Sequence, residues 1–139
     1  METIVVYTDG GARGNPGPAG AGAIAYEGDA IILELKQYLG EKQTNNWAEY
    51  EAVALALAAL KEKGFAGRPL EVRMDSKLVV EQVLGNWKIK EPTLKPQVAK
   101  VHALLRDFSS HTFTYVPREQ NKEADRLVNE ALDEVLGTP

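Results

Sequence analysis

The spacing of apolar residues divides the chain into strands and helices before any chemistry is considered. Residues 3–9 (Thr-Ile-Val-Val-Tyr-Thr-Asp) are β-branched and aromatic and run into glycines, which predicts a buried strand. Residues 10–22 are so dense in glycine and proline that they read as a loop. Two further strands are predicted at about 21–27 and 30–39, with Gly28-Asp29 as the hairpin turn between them. From Asn46 to Lys63, the residues Trp47, Tyr50, Val53, Leu57 and Leu60 recur at spacings of three and four. Gly64 follows them, so the segment predicts a helix with a glycine stop. Leu70–Met74 alternates as a short strand, and Ser76–Leu84 reads as a helix directly behind it. The stretch 85–96 is polar, basic and interrupted by two prolines, after which a helix resumes to Asp107. Thr112–Val116 is a fifth strand and Gln120–Leu136 a terminal helix. Three strands followed by helix–strand–helix–strand–helix is an α/β pattern with a mixed sheet.

Composition narrows the class. A chain of 139 residues with 44% hydrophobic and 26% charged positions is expected to form one domain, 1–139, with a single core. With no cysteine, a disulfide framework, a Cys-ligated zinc and a thiol nucleophile are all excluded. The N-terminus lacks the basic start and apolar run of a signal peptide, and the longest apolar stretch, Ala52–Leu60, is about half of a membrane span. The expectation is a cytoplasmic protein without membrane contact. The formal net charge of −4 argues against nucleic acid as a partner, because such binding is usually carried by a basic surface.

Four acids stand at the ends of these elements. Asp9 closes the first strand at the rim of the sheet, where α/β folds place ligands; alone, it reads equally as a turn residue before Gly10-Gly11. Glu49, three residues after Asn46, has the spacing of a capping box, and Asp75 stands where it would cap the helix behind the fourth strand. Asp125 lies about 80° from the centre of the apolar stripe of the last helix, nearer the protein body than that helix's other acids, though Lys122 and Arg126 offer it a solvated charged face instead. Converging on one rim, four unpaired carboxylates would repel and require a cation. All-oxygen ligation suits Mg²⁺ or Mn²⁺.

The segments Tyr7-Thr8-Asp9-Gly10-Gly11, Thr44-Asn45-Asn46-Trp47-Ala48-Glu49, Met74-Asp75-Ser76 and Asn121-Lys122-Glu123-Ala124-Asp125 resemble type 1 ribonuclease H, in order and approximate spacing from Ile4 to about Leu136. The tail from Val116 to Asp125 is similar to the compact branch found in many bacteria and archaea. The resemblance implies a ribonuclease H-like fold: a five-stranded mixed sheet, strands 1–3 antiparallel, flanked by helices. It implies endonucleolytic cleavage of the RNA strand of an RNA–DNA hybrid, leaving 5′-phosphate and 3′-hydroxyl ends. It assigns Asp9, Glu49, Asp75 and Asp125 as catalytic, metal-binding carboxylates for two Mg²⁺ ions, with Mn²⁺ as substitute. Two such ions about 4 Å apart would activate a water and stabilise the leaving oxygen. A monomer with no obligate protein partner is expected.

Substrate contacts carry over residue by residue. Gly11, Asn15, Asn45 and Asn46 resemble family positions at the substrate, the three asparagines in the minor groove where 2′-hydroxyls mark RNA. Lys42 and Thr44 resemble a pocket for a DNA-strand phosphate. Trp87 resembles an aromatic lining the DNA path, the alternative being a half-buried core residue. Lys88, Lys90, Lys95 and Lys100 against Glu91 give residues 85–105 an excess of three positive charges, a local source of phosphate contacts. The chain departs from the family in lacking a histidine in the short loop Pro117-Arg118-Glu119-Gln120; Arg118 is the candidate phosphate contact there. His102 and His111 read as structural.

Rival readings are weaker. Gly10–Gly17 lacks the Gly-Lys-Ser/Thr ending of a phosphate loop, and Ser109-Ser110-His111 has no nucleophile elbow. Another nuclease or strand-transfer enzyme on the same fold would need appended DNA-binding parts. A catalytically silent hybrid-binding domain would keep acids that repel its own ligand. Without the proposed quartet, acids and bases are equal at 16 each, so the excess charge is accounted for by one site.

Overall fold

The computed structural model describes residues 2–137. Five strands, β1 (Ile4–Ala12), β2 (Gly17–Glu27), β3 (Ala30–Gln43), β4 (Pro69–Met74) and β5 (Ser110–Tyr115), form one sheet in the order β3-β2-β1-β4-β5. β1, β2 and β3 pair antiparallel, while β4 runs parallel to both β1 and β5. The helices are α1 (Asn45–Glu62), α2 (Lys77–Val83), α3 (Lys95–Leu105) and α4 (Lys122–Leu136). Short 3₁₀ turns occupy Pro92–Leu94 and Arg118–Gln120. The expected mixed five-stranded sheet with strands 1–3 antiparallel is what forms.

The core follows from strand alternation. Ile4 and Val6 of β1, with Ala23 and Ala25 of β2 and Val72 of β4, point into a cluster completed by Val53, Leu57 and Leu60 of α1, Val79 of α2 and Val101 of α3. α4 covers the opposite face of β1, β2 and β3. α1 is buried on nearly every side, being sandwiched between the sheet and α3, which explains its continuous alanine and leucine content. It ends as expected: Gly64 takes φ +94°, and the Phe65 N–H reaches back to Leu60 O at 3.0 Å.

One expectation fails. Residues 10–22 are not a loop, because β1 runs on to Ala12 and β2 begins at Gly17. The glycines record close packing instead. A Cβ at Gly22 would lie 2.4 Å from Ala124 O, and one at Gly20 would lie 3.2 Å from Val128 O, so both let α4 settle onto β2. The remaining boundaries agree to within a few residues: α4 begins at Lys122 rather than Gln120, and β5 two residues early at Ser110. Among the described residues, no helix is long and apolar enough to cross a membrane.

Candidate active site

The site forms where β1 and β4 part. Their parallel ladder ends at the Tyr7–Arg73 pair. Beyond it β1 continues against β2 alone, while β4 stops at Met74 and the chain turns at Asp75 toward α2. Asp9 therefore does not end its strand, as the sequence suggests. It lies two residues beyond the part of β1 that β4 covers, and that opening is the usual ligand crevice of such sheets.

Neighbouring residues fill the competing structural roles. Thr44 is the N-cap of α1, its Oγ1 accepting the Trp47 N–H at 3.2 Å, so Glu49 is not the partner of a capping box on Asn46. Ser76 caps α2 by accepting the Val79 N–H at 3.3 Å, so Asp75 is not that cap. Glu49 instead crosses to β1, where its Oε1 accepts the Gly10 N–H at 2.7 Å. Glycine is required at 10 for that approach, since a Cβ would sit 2.2 Å from Ala48 O.

Asp9, Glu49 and Asp75 each bring a carboxylate oxygen within 4.8 Å of the other two. Asp9 is only 8% exposed and Glu49 only 6%. Burial pushes the Asp9 carboxyl up to about 7, with the charges of Asp75 and Asp125 adding to the rise and the adjacent Glu49 side chain opposing it. Burial and then the charge of Asp9 hold Glu49 well above the usual carboxylate range. Asp75 is also raised by burial, and the Asn121 side chain and the Arg118 guanidinium restrain the rise. Glu49 Oε2 is buried without a hydrogen-bond partner among the described residues. An orphaned oxygen beside two more carboxylates fits a hard divalent cation, whose charge would relieve the mutual repulsion.

Asp125 lies in the first turn of α4 and is not one of the three converging acids. It lines the same depression of about 490 Å³, which Gly11, Asn45, Tyr115 and Arg118 also border. Asn129 donates to Asp125 O at 3.1 Å, holding it from one turn further along α4. Arg118 lies in an exposed 3₁₀ turn on the wall beside Asp75.

The other candidates fall into two groups. Asn15 Oδ1 accepts the Asn45 N–H at 3.0 Å, and Asn45 Oδ1 accepts the Ala12 N–H at 2.8 Å, tying the β1–β2 turn to the start of α1. Lys42, near the end of β3, is exposed and two residues from the Thr44 cap. Asn46, Trp87, Lys88 and Lys90 line a second depression, of about 580 Å³, with Trp87 44% exposed rather than in the core. Lys100 does not belong to it, because its ammonium pairs with Glu51 across the contact between α1 and α3. His102 Nε2 lies 3.0 Å from Val83 O, and His111 packs edge-on to Phe113.

Sequence reasoning overlooks Arg13, Tyr115 and Asn129, which line the acidic depression, and gives Asn121 no role. Arg13 carried a usable signal, as the only cation in the glycine-rich run after Asp9. It reaches over to α4 and pairs with Asp133 at 2.7 Å. Tyr115 carried none, since strand alternation does not say where a strand's last residue meets another element.

Comparison with known proteins agrees with this geometry. A profile of the family described as "Reverse transcriptase-like" matches residues 7–131. A bifunctional protein of Mycobacterium tuberculosis is 43% identical over 132 residues, covering 94% of this chain and 35% of its own length. The chain thus spans about a third of the mycobacterial relatives it matches. Ribonuclease H of Hydrogenovibrio crunogenus is 35% identical, covering 99% of this chain and 100% of the relative. Among solved structures, LC11-RNase H1 in complex with an RNA/DNA hybrid superimposes with a TM-score of 0.89 at 46% identity, covering 96% of this chain and 99% of that one.

Proposed function

This chain belongs to the type 1 ribonuclease H family, and on that premise we propose that it hydrolyses the RNA strand of RNA–DNA hybrids, leaving 5′-phosphate and 3′-hydroxyl ends. The observation that carries the reading is the convergence of Asp9, Glu49 and Asp75, with Glu49 Oε2 buried and without a hydrogen-bond partner among the described residues. Asp9, Glu49 and Asp75, with Asp125 from the facing helix, would hold two Mg²⁺ ions, or Mn²⁺ in their place. When bound, such ions acidify a coordinated water and offset charge on the phosphate and its leaving oxygen.

The chain's own groups supply the rest. Burial keeps Asp9 and Glu49 short of solvation, so they favour a cation over water. The Arg118 guanidinium, on the open wall beside Asp75, would hold a backbone phosphate of the strand being cut. Gly11 and the linked pair Asn15 and Asn45 offer close backbone and amide groups beside the acids, suited to the RNA minor groove. Lys88 and Lys90 would supply phosphate contacts, Trp87 an aromatic surface for the DNA strand and Asn46, in the same depression, a minor-groove contact, while Lys42 and Thr44 would hold a DNA-strand phosphate.

Incubation with a labelled hybrid, an RNA duplex and a DNA duplex in Mg²⁺ or Mn²⁺ tests the reading. Cleavage of the hybrid's RNA strand, abolished by EDTA and by Asp9→Asn or Asp75→Asn in a folded protein, is expected. Full activity in both variants would overturn it.

A further inference from the structure

Asn121 immediately precedes α4, at the N-cap position, yet its side chain makes no capping bond to that helix. It is 1% exposed and turned toward the sheet. Its Nδ2 donates to Thr8 O at 2.9 Å, and Thr8 is both the residue before Asp9 and the first of β1 beyond the last pair with β4. The amide thus occupies the fork where the two strands separate. Its backbone serves the other side of the cluster: the carbonyl accepts the Asp125 N–H at 3.1 Å, and its own N–H donates to Arg118 O at 3.0 Å. One buried residue therefore bonds the backbone of Asp125, of Arg118 and of the neighbour of Asp9.

That arrangement is costly unless it serves the site. Asn121 Oδ1 is buried without a hydrogen-bond partner among the described residues, a penalty of about 1–3 kcal/mol that an apolar residue would avoid. A conventional capping side chain would satisfy the first turn of α4 at no such cost. What Asn121 provides instead is a fixed spacing between β1, the Arg118 turn and the start of α4.

Resting on the metal-dependent reading above, we propose that Asn121 is the positioning residue of the acidic cluster, a single buried amide that sets Asp9 and Asp125 at the separation that receives the cations. It touches neither cation nor nucleic acid. Groups that orient metal ligands from behind typically change metal affinity by roughly 10–100-fold when removed.

The test is calorimetric titration of Mn²⁺ into the protein without nucleic acid, for the wild type, Asn121→Ala, Asn121→Ser and Leu105→Ala. Leu105 is a buried core residue of α3, so its truncation imposes a loss of stability that is unrelated to the cluster. Both Asn121 variants are expected to lose roughly tenfold or more in Mn²⁺ affinity. Hybrid kcat should fall with KM unchanged, while Leu105→Ala keeps wild-type Mn²⁺ affinity despite a lower melting temperature. If Asn121→Ala does not fold, Asn121→Ser is judged by the same criterion. Wild-type Mn²⁺ affinity in either folded Asn121 variant, or an equal loss in Leu105→Ala, would overturn the assignment. A wild type that binds no Mn²⁺ would instead remove the reading on which it rests.

Discussion

Asp9 pairs directly with Gly22 across the β1–β2 ladder, and the space left by the missing side chain at 22 is filled by the first two turns of α4. A Cβ there would lie 2.4 Å from Ala124 O and 2.7 Å from Leu127 Cβ. Ala124 immediately precedes Asp125 in the chain. The depth at which α4 rests on Gly22 therefore sets how near Asp125 stands to Asp9.

Gly22→Ala is accordingly expected to cost about 1–3 kcal/mol of stability by overpacking and to push α4 off the sheet. Activity per folded molecule should fall with it, because Asp125 moves outward. Thermal melting and hybrid cleavage, the latter measured well below the midpoint, check this. Unimpaired cleavage in a destabilised Gly22→Ala would separate the packing from the site.

The raised carboxyls give the metal-free protein a defined pH dependence. Asp9 titrates at about 7 when folded against 3.8 as its ordinary value, so between these limits the folded state holds a proton that the unfolded chain releases. The Asp9 contribution to stability must then fall as pH rises from about 4 to 7 and level off above that range, and the raised Glu49 acts in the same sense. Asp9→Asn lacks the penalty. It should melt higher than the wild type at pH 8, by a few kcal/mol of stability, with the gap closing toward pH 4. Saturating Mg²⁺ should narrow the gap at pH 8 by stabilising the wild type. Parallel melting profiles for the two proteins from pH 4 to 8 would contradict this.

Thr44 and Glu49 divide between them what sequence spacing would have given to one helix start. Thr44→Ala removes the hydrogen bond to Trp47 N and should cost about 1 kcal/mol while leaving Mn²⁺ affinity intact. Glu49→Gln should hold or raise the melting temperature at pH 8 and lower Mn²⁺ affinity. Destabilisation of Glu49→Gln to the level of Thr44→Ala would return its carboxylate to helix capping.

Lys88 and Lys90 stand beside Trp87, whereas Lys100 is engaged with Glu51. Charge reversal at either of the first two should weaken hybrid binding and reduce the salt slope by about one for each phosphate no longer neutralised. Lys100→Glu should leave that slope unchanged. Equal effects at all three positions would mean that a diffuse field, and no defined path, carries the binding.

Sequence alone determined what depends on neighbours a few residues away. The apolar run before Asp9, the spacing from Trp47 to Leu60 with its Gly64 stop, and the alternation of Leu70–Met74 placed the elements and selected four acids at their ends, because hydrophobic periodicity and turn chemistry are local. Tertiary structure decided what depends on approach between distant segments. Glycines at 20 and 22 mark the seat of α4 rather than a loop, since only packing shows what a side chain there would strike. Glu49 is spared from capping because Thr44 takes that role, and it is turned toward Gly10, 39 residues away. Asn121 is bonded to Thr8 across 113 residues, a contact that no window along the chain contains. The acids themselves are a local property of the sequence; their burial, which raises Asp9 and Glu49, and the mutual closeness that adds to the rise and calls for a cation, exist only once the sheet, α1 and α4 have closed around them.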